Sequence, residues 1–351
     1  MLVAALSDLQ WRRRRVLIAI VGTGLVFGMT LLMTGVSRGF DAEASATVRD
    51  LGAERWIVRE GAAGPFLGAS PMSQDEATYL AALPGIEAAG PLVFTRKSVN
   101  TPKGGEVDVN IMGSTAGRPG MPAADEGRPP TKAGEVMVSS RLEGYRVGDT
   151  LTVAGTSLLV VGRVTDSTAL AGTPNVFVDL ADAQRIGFAG LPVVSSVAVV
   201  GEPSVMPEGF QPSSNAAARA DLLRAIAKAK SSLTMISVLL WLVAASIIGA
   251  VVYLSALERQ RDFAVFKATG VATRSILAGM VLQAAVLAVV AAVLGSIIGS
   301  LIGPRFPMIV SLELRAHLTL PLVAVGIGVL SSAAGLRRIA RIDPALAFGG
   351  P

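Results

Sequence analysis

The segment 258–270 holds the side chains best suited to a chemical role, and the role they suit is binding another protein. It lies between two long apolar runs and has a helical pattern of apolar and charged residues. Phe263 and Phe266 belong to its apolar side. Aromatic anchors surrounded by charged groups are typical of protein–protein contacts. The predicted binding residues are Glu258, Arg259, Arg261, Asp262, Phe263, Phe266, Lys267 and Gly270; the alternative is an ordinary solvated loop that only sets topology.

Side chains for catalysis or metal binding are scarce in the sequence. There is no Cys, which excludes disulfides, thiolate catalysis and Cys-based zinc sites. His317 is the single histidine, and a zinc site needs three or four ligands. The phosphate-binding pattern G-x-x-x-x-G-K-[ST] does not occur. We therefore expect no catalytic residue, cofactor site or metal site on this chain.

The composition indicates a membrane protein with a sizeable water-exposed part. Hydrophobic residues make up 51% of the chain and charged residues 16%, with a mean hydropathy of +0.57. Soluble domains are nearer one-quarter charged. The formal net charge is +5, but membrane proteins concentrate Lys and Arg on their cytoplasmic side. The positive charge therefore does not call for a nucleic-acid partner.

Four apolar runs have the length needed to cross a bilayer, which takes about 20 residues. They cover residues 16–36, 231–257, 276–302 and 318–336. None carries Asp, Glu, Lys, Arg or His in its core, which argues against an ion-coupled transporter. Residues 1–15 predict an amphipathic helix on the inner membrane surface. The alternative for that segment is a frayed terminus that carries a cluster of arginines.

Residues 37–230 contain no candidate span and predict an α+β domain between the first two membrane helices. Its clearest elements are a helix over 73–83 that begins at Ser73, and strands on either side of a Gly-Gly turn at 104–105. After Asn215 no Gly or Pro occurs until Gly249. We therefore expect one continuous helix over 216–248; the alternative is two helices with a bend at 231–232.

The distribution of Lys and Arg predicts the orientation of the chain. Eleven lie beside the spans in the N-terminal segment, in segment 258–275 and in the tail 337–351, whereas the short loop 303–317 has two. Positively charged segments stay in the cytoplasm. Both termini and the helix in 258–275 are therefore expected to be cytoplasmic. The domain 37–230 and the loop 303–317 are expected on the other side, in a bacterial plasma (inner) membrane.

Glycines at four-residue steps predict close helix packing in the first and third spans. This small-xxx-small spacing lets helix backbones approach one another in a membrane. Four spans make a poor enclosed pathway, so we expect a homodimer and regard these glycine faces as candidate interfaces. The residues are Gly24, Gly28, Gly295, Gly299 and Gly303.

Together with four sequence segments, this arrangement resembles the MacB/FtsX-like (type VII) permeases of ABC transporters. The segment 257–270 is similar to the turn that follows the second span in that family. Residues 134–139 and 147–151 are similar to strands of its outer domain, and 341–345 to its C-terminal ending. The chain departs from the family where Asp262-Phe263-Ala264 replaces the common Glu-Ile-Gly.

The resemblance implies an ATP-driven exporter or extractor that works by mechanotransmission. In that family, the segment after the second span docks on a separate ATP-binding subunit, which would hold the ATP and Mg. Two copies would pair in the lipid bilayer and act on a hydrophobic or amphipathic substrate. The alternative is a machine that transmits force to an extracytoplasmic protein such as a cell-wall hydrolase. A third hypothesis is an extracytoplasmic ligand sensor.

Overall fold

The computed structural model describes residues 13–68, 70–305, 309–311 and 314–340. The chain divides into two compact units, which we call the membrane unit and the outer unit. The membrane unit comprises Met1–Arg38 and Lys230–Pro351, and the outer unit comprises Gly39–Ala229. The predicted amphipathic helix at 1–15 and the predicted tail at 337–351 lie largely outside the described residues.

The outer unit is built on β-strands and short helices. Its helices are α2 (Gln74–Ala81), α3 (Leu180–Phe188) and α4 (Asn215–Ala225), and it also contains the end of α1 (Arg13–Asp50). The strands are β1 (Arg55–Arg59), β2 (Met72–Ser73), β3 (Ile86–Asn100), β4 (Glu106–Ser114), β5 (Glu126–Gly127), β6 (Glu135–Ser139), β7 (Thr150–Val153), β8 (Thr156–Val164), β9 (Thr168–Ala169), β10 (Thr173–Asp179), β11 (Val193–Val194), β12 (Ser196–Gly201) and β13 (Phe210–Ser214).

Most of these strands form one mixed sheet. Its main order is β13-β1-β12-β3-β4-β10-β6-β8-β5, with β7 and β9 attached at its side, while β2 and β11 form a separate pair. The pairs β4–β10 and β6–β8 are parallel, and the other pairs are antiparallel. The predicted hairpin is confirmed, because β3 and β4 pair from Val93–Gly113 to Asn100–Glu106.

Both faces of this sheet are buried, which explains its apolar strand sequences. In β6, Val136 and Val138 point to one hydrophobic core and Met137 to the other. The first core is completed by α2 and α3. The second is completed by residues 44–51 of α1 and by α4. Helix α1 also contains the first predicted span, and α4 is separated by one residue from the helix that contains the second. Both α1 and α4 therefore pack on the same face of the sheet.

The best-predicted helix of the outer unit is α2. Ser73 is its N-cap, and the Ser73 side chain and Glu76 form the predicted capping box. Neither α3 nor β13 is predicted by the sequence analysis. The α3 sequence is short and contains Gly187, which fits a close approach to Thr95 because an added Cβ would lie 3.3 Å from its Cγ2.

The membrane unit consists of long helices joined by short turns. They are the first part of α1, then α5 (Ala227–Glu258), α6 (Gln260–Ala268), α7 (Thr273–Ile302) and α8 (Leu314–Ala340). A single 3₁₀ turn, Gly303–Arg305, follows α7. Among the described residues, three helices are long and apolar enough to cross a membrane: Val16–Asp50, Ala227–Glu258 and Thr273–Arg305. The fourth predicted span falls on α8, whose apolar stretch Leu314–Leu330 is shorter.

Helix α1 continues unbroken from the first predicted span to Asp50. One expectation about the helices is wrong. The predicted continuous helix 216–248 is divided into α4 and α5, and the break lies at Ile226 rather than at 231–232. Ile226 adopts φ −106° and ψ 9°, and its N–H donates to Leu223 and Arg224. No Gly or Pro marks this break, so the sequence gives no local signal for it.

The predicted packing glycines bring α1 and α7 close together within one chain. A Cβ added to Gly295 would lie 2.8 Å from the Gly24 carbonyl oxygen and 2.9 Å from the Gly28 nitrogen. A Cβ at Gly299 would lie 2.9 Å from a methyl group of Leu31. Gly303 is buried at the end of α7. Four of the predicted packing glycines, Gly24, Gly28, Gly295 and Gly299, therefore contact the facing helix within one chain. Their predicted role in a dimer interface stays a prediction.

The buried carboxylate of Glu135 gives the outer unit a predictable dependence on acid. Arg128 donates to both of its carboxylate oxygens and the Thr131 N–H donates to one of them. The hydrogen bond from Arg128 is the main reason that the pKa of Glu135 falls from 4.5 to about 2. A carboxylate with a lowered pKa stabilises the fold above its unfolded pKa, and this contribution is lost as the pH falls towards the folded value.

We therefore expect the thermal stability of the detergent-solubilised protein to fall between about pH 4.5 and pH 2, and Glu135→Gln to reduce the slope in that window. Thermal unfolding at several pH values measures the slope. The matched control is Glu126→Gln, because Glu126 is largely exposed in its ion pair with Arg163. An equal slope in wild type and Glu135→Gln contradicts the assignment.

Candidate functional site

Helix α6 lies between the spans α5 and α7, and one of its sides is part of the membrane-unit core. Phe263 is 7% exposed and Ala264 is fully buried. Both belong to the hydrophobic core that also contains Ala256 of α5 and Ile276 of α7. Phe263 therefore anchors α6 to the neighbouring helices, and its ring is not available to a partner.

The other side of α6 presents apolar groups to solvent. Phe266 is 40% exposed and Val265 is 48% exposed. Arg261 and Asp262 are exposed one turn earlier on the helix, at the i and i+4 spacing that makes side chains neighbours. The structure thus separates the two phenylalanines that the sequence analysis placed on one contact surface. The exposed set of Arg261, Asp262, Val265 and Phe266 is called the α6 surface below.

The end of α6 is held by a Schellman motif at Gly270. The Val271 N–H donates to the Phe266 carbonyl at 2.9 Å, and the Gly270 N–H donates to the Lys267 carbonyl at 3.1 Å. Gly270 has φ +88°, a conformation that favours glycine. The motif ends the helix and starts the turn into α7, so Gly270 determines the length of α6.

The remaining predicted binding residues flank the α6 surface. Glu258 is the last residue of α5 and is exposed. Arg259 stands at the N-cap position of α6 and is half-buried, as is Lys267 in its last turn. Together these side chains form a charged border around one exposed aromatic ring.

The outer unit contains a second candidate site, where α1 is fastened to the loop between β8 and β10. The carboxylate of Glu43 accepts hydrogen bonds from the N–H groups of Ala171 at 3.0 Å and Gly172 at 2.7 Å. The Thr47 hydroxyl lies 2.8 Å from the Thr168 carbonyl oxygen. Both α1 side chains are buried. We call this set of contacts the α1 latch.

The loop of the α1 latch is held in an unusual conformation. Leu170, Ala171 and Gly172 have φ values of 57°, 71° and 89°. Such backbone geometry costs free energy in residues other than Gly and persists only where neighbouring groups enforce it. The buried Asn110 side chain holds this loop in place, because it donates to the Ala169 and Thr173 carbonyls at 3.2 Å each. The loop is therefore a rigid attachment point for α1.

Helix α4 is fastened in a similar way. The buried carboxylate of Asp221 accepts hydrogen bonds from the N–H groups of Phe66 and Leu67, both at 2.8 Å. Gly64 leaves room for it, since a Cβ at Gly64 would lie 2.4 Å from the Asp221 Cβ. Between α1 and α4 an open cleft of about 370 Å³ is lined by Arg49, Arg219 and Asn215 among others.

The sequence analysis missed Glu43 and Asp221. For Glu43 a signal was present, because it stands beside the apolar stripe Phe40, Ala44 and Val48, where a carboxylate needs a buried partner. The identity of that partner could not be inferred, since Ala171 lies 128 residues away in sequence.

Comparisons with known proteins assign families to both units. The family model described as MacB-like periplasmic core domain matches residues 16–214. The model described as FtsX-like permease C-terminal matches residues 234–344, a range that contains α6.

The chain is also similar to full-length relatives and to solved structures. An uncharacterized ABC transporter permease of Mycobacterium bovis is 50% identical over 351 residues, with complete coverage of both chains. Another from Mycobacterium tuberculosis is 47% identical over 355 residues, again with complete coverage. The periplasmic region of MacB from Actinobacillus actinomycetemcomitans is 13% identical, covers 48% of this chain and 92% of its own, and has a TM-score of 0.36.

Proposed function

The chain belongs to the FtsX-like family of ABC transporter permeases with a MacB-like core domain, and we propose that it is the membrane subunit of a type VII exporter or extractor. Two copies pair in the bacterial plasma membrane, with both termini in the cytoplasm and α8 as a fourth span. A separate subunit binds ATP and Mg and hydrolyses the ATP. The substrate is a hydrophobic or amphipathic molecule.

The observation that carries the proposal is the two-sided character of α6. One side is fixed to α5 and α7 through Phe263 and Ala264, while the α6 surface exposes Phe266 and Val265. A partner that binds this surface would therefore push on two spans at once. Exposed aromatic side chains at the centre of a charged border are the usual anchors of protein interfaces.

In the outer unit, α1 and α4 are each held by a buried carboxylate, and these attachments could transmit the movement of the spans. Helix α1 is unbroken from Arg13 to Asp50, and Glu43 fixes its outer part to the loop at residues 168–172. Asp221 fixes α4. In this mechanism a displacement of α1 is carried to the β-sheet because the attachment is buried and rigid.

The direct test is purification of the tagged chain from its native membranes. We expect an ATP-binding subunit to purify with it and to hydrolyse ATP. A chain that purifies alone as a stable dimer contradicts the proposal and directs attention to ligand sensing by the outer unit.

Replacing Glu43 with Ala is expected to separate ATP hydrolysis from movement of the outer unit. The variant leaves the N–H groups of Ala171 and Gly172 without their acceptor, whereas α6 is unchanged. A spin label can be placed at Val205→Cys, since the chain has no other Cys and Val205 is 75% exposed. Distances between labels in the two copies should change with ATP in the parent protein and not in Glu43→Ala.

The matched control for this experiment is Glu54→Ala. Glu54 also accepts a backbone hydrogen bond, from Gly201 at 3.0 Å, but the contact is exposed and does not involve α1. We expect this control to keep the ATP-dependent distance change. An unchanged response in Glu43→Ala contradicts the role of the α1 latch.

A further inference from the structure

A small cavity inside the membrane unit is lined by an arginine, one nitrogen atom of which has no hydrogen-bond partner in the described part of the chain. The cavity has a volume of about 80 Å³ and lies among α1, α5 and α8. Its polar wall comes from Arg38 and three threonines, and its apolar wall includes Trp241 and Leu320. The threonines are Thr30, Thr34 and Thr319.

The guanidinium group of Arg38 is the feature of this cavity that points to a ligand. Its Nη1 atom is buried and has no hydrogen-bond partner among the described residues. The guanidinium group offers N–H donors and no acceptor. A buried N–H group without an acceptor is costly. An anionic oxygen would accept from this nitrogen and also offset the positive charge of the guanidinium group.

The threonines supply acceptors beside this positive group. Their hydroxyls donate to carbonyl oxygens of their own helices, at 2.8 Å from Thr30 to Val26, 2.9 Å from Thr34 to Thr30 and 3.2 Å from Thr319 to Ala316. A hydroxyl oxygen that donates still has lone pairs that accept hydrogen bonds. The cavity thus suits a head group that combines an anionic oxygen with hydroxyl or amine donors.

The size and surroundings of the cavity indicate that the ligand has an apolar part that extends outside it. A volume of about 80 Å³ is well below the range of about 300 to 1,000 Å³ for sites that enclose a whole small molecule. Val323 of the cavity wall is 46% exposed, and the neighbouring Leu322 is 73% exposed. An apolar tail can therefore leave the cavity along the apolar surface of α8.

We propose that Arg38 binds the phosphate or carboxylate of an anionic amphiphile, whose head group occupies this cavity and whose apolar tail lies along α8. The proposal rests on the proposed function for its membrane setting and deepens it, because it names the chemical class of ligand that the membrane unit takes. It does not require that the ATP-binding subunit be present.

The test is lipid binding by the full chain in a neutral detergent, measured by native mass spectrometry. The probes are phosphatidylglycerol, phosphatidylcholine and inorganic phosphate. We expect phosphatidylglycerol to bind at least tenfold more tightly than phosphatidylcholine, and Arg38→Gln to remove that preference. Arg38→Lys should retain part of it, which keeps the test valid where Arg38→Gln fails to fold.

Arg305→Gln is the matched control. Arg305 is another arginine of the membrane unit, but it is exposed and its Nη1 donates to the Leu301 carbonyl at 3.0 Å. The control should bind phosphatidylglycerol as wild type does. Binding of inorganic phosphate that is lost in Arg38→Gln supports the anion site and identifies a soluble anion as its source.

Two results overturn the proposal. The first is phosphatidylglycerol binding that is equal in wild type and in a folded Arg38→Gln variant. The second is wild type that binds none of the three probes. Failure to purify an ATP-binding subunit contradicts the proposed function but leaves these binding results unaffected.

Discussion

Phe266→Asp is expected to weaken strongly the association of this permease with the proposed ATP-binding subunit while leaving the permease folded. Phe266 is 40% exposed on the α6 surface, so a carboxylate at this position remains hydrated in the free chain. In the complex the same carboxylate would be buried in an apolar contact. Loss of an aromatic anchor costs about 2 kcal/mol or more, and each 1.4 kcal/mol is about tenfold in affinity. We therefore expect at least a tenfold loss of binding.

The measurement is co-purification of the two subunits, combined with thermal unfolding of the permease alone. Val205→Asp is the matched control, because it makes a similar apolar-to-acid change at an exposed position in the outer unit. It should leave co-purification intact. If Phe266→Asp co-purifies with the ATP-binding subunit as wild type does, α6 is not the docking site.

A companion variant separates docking from folding within the same helix. Phe263 is buried in the membrane-unit core, so Phe263→Ala removes packing rather than a contact surface. Truncation of a buried Phe costs about 3 to 5 kcal/mol. We expect this variant to unfold at a clearly lower temperature, in contrast to Phe266→Asp.

A large loss of thermal stability is expected from substitutions at Gly295, where the backbones of α1 and α7 come close together. In Gly295→Ala the new methyl group would lie within 3 Å of the Gly24 carbonyl oxygen, the Phe27 Cβ and the Gly28 nitrogen. These are backbone or Cβ positions that cannot rotate away, so the helices must separate. Overpacking of this kind costs about 1 to 3 kcal/mol, and Gly295→Leu should prevent the two helices from packing.

Gly279 provides a control on the same helix. A Cβ at Gly279 would meet no atom within 4 Å, and replacing Gly with Ala in a helix interior gains about 1 kcal/mol of helix propensity. Gly279→Ala should therefore unfold at the same or a higher temperature, and Gly295→Ala at a lower one. If the unfolding temperature changes equally in the two variants, α1 and α7 do not pack through Gly295.

Much of the secondary structure was predictable because its signals are local. The apolar runs have bilayer length, Ser73 and Glu76 form a capping box, and Gly104 and Gly105 mark the turn between two strands that pair. Each of these features depends on residues close together in sequence. The number of spans is less clear from pattern alone, because α8 contains Pro321 and its apolar stretch is short.

The amino-acid sequence by itself determined where the short helix α6 lies, and only the tertiary structure decided which of its residues are exposed. Phe263 and Phe266 lie about 60° apart around a helix of 3.6 residues per turn, so α5 and α7 can cover one and leave the other exposed. The partners of Glu43 and the residues around Arg38 likewise depend on segments that are distant in sequence. Such contacts arise from packing, which no local pattern contains.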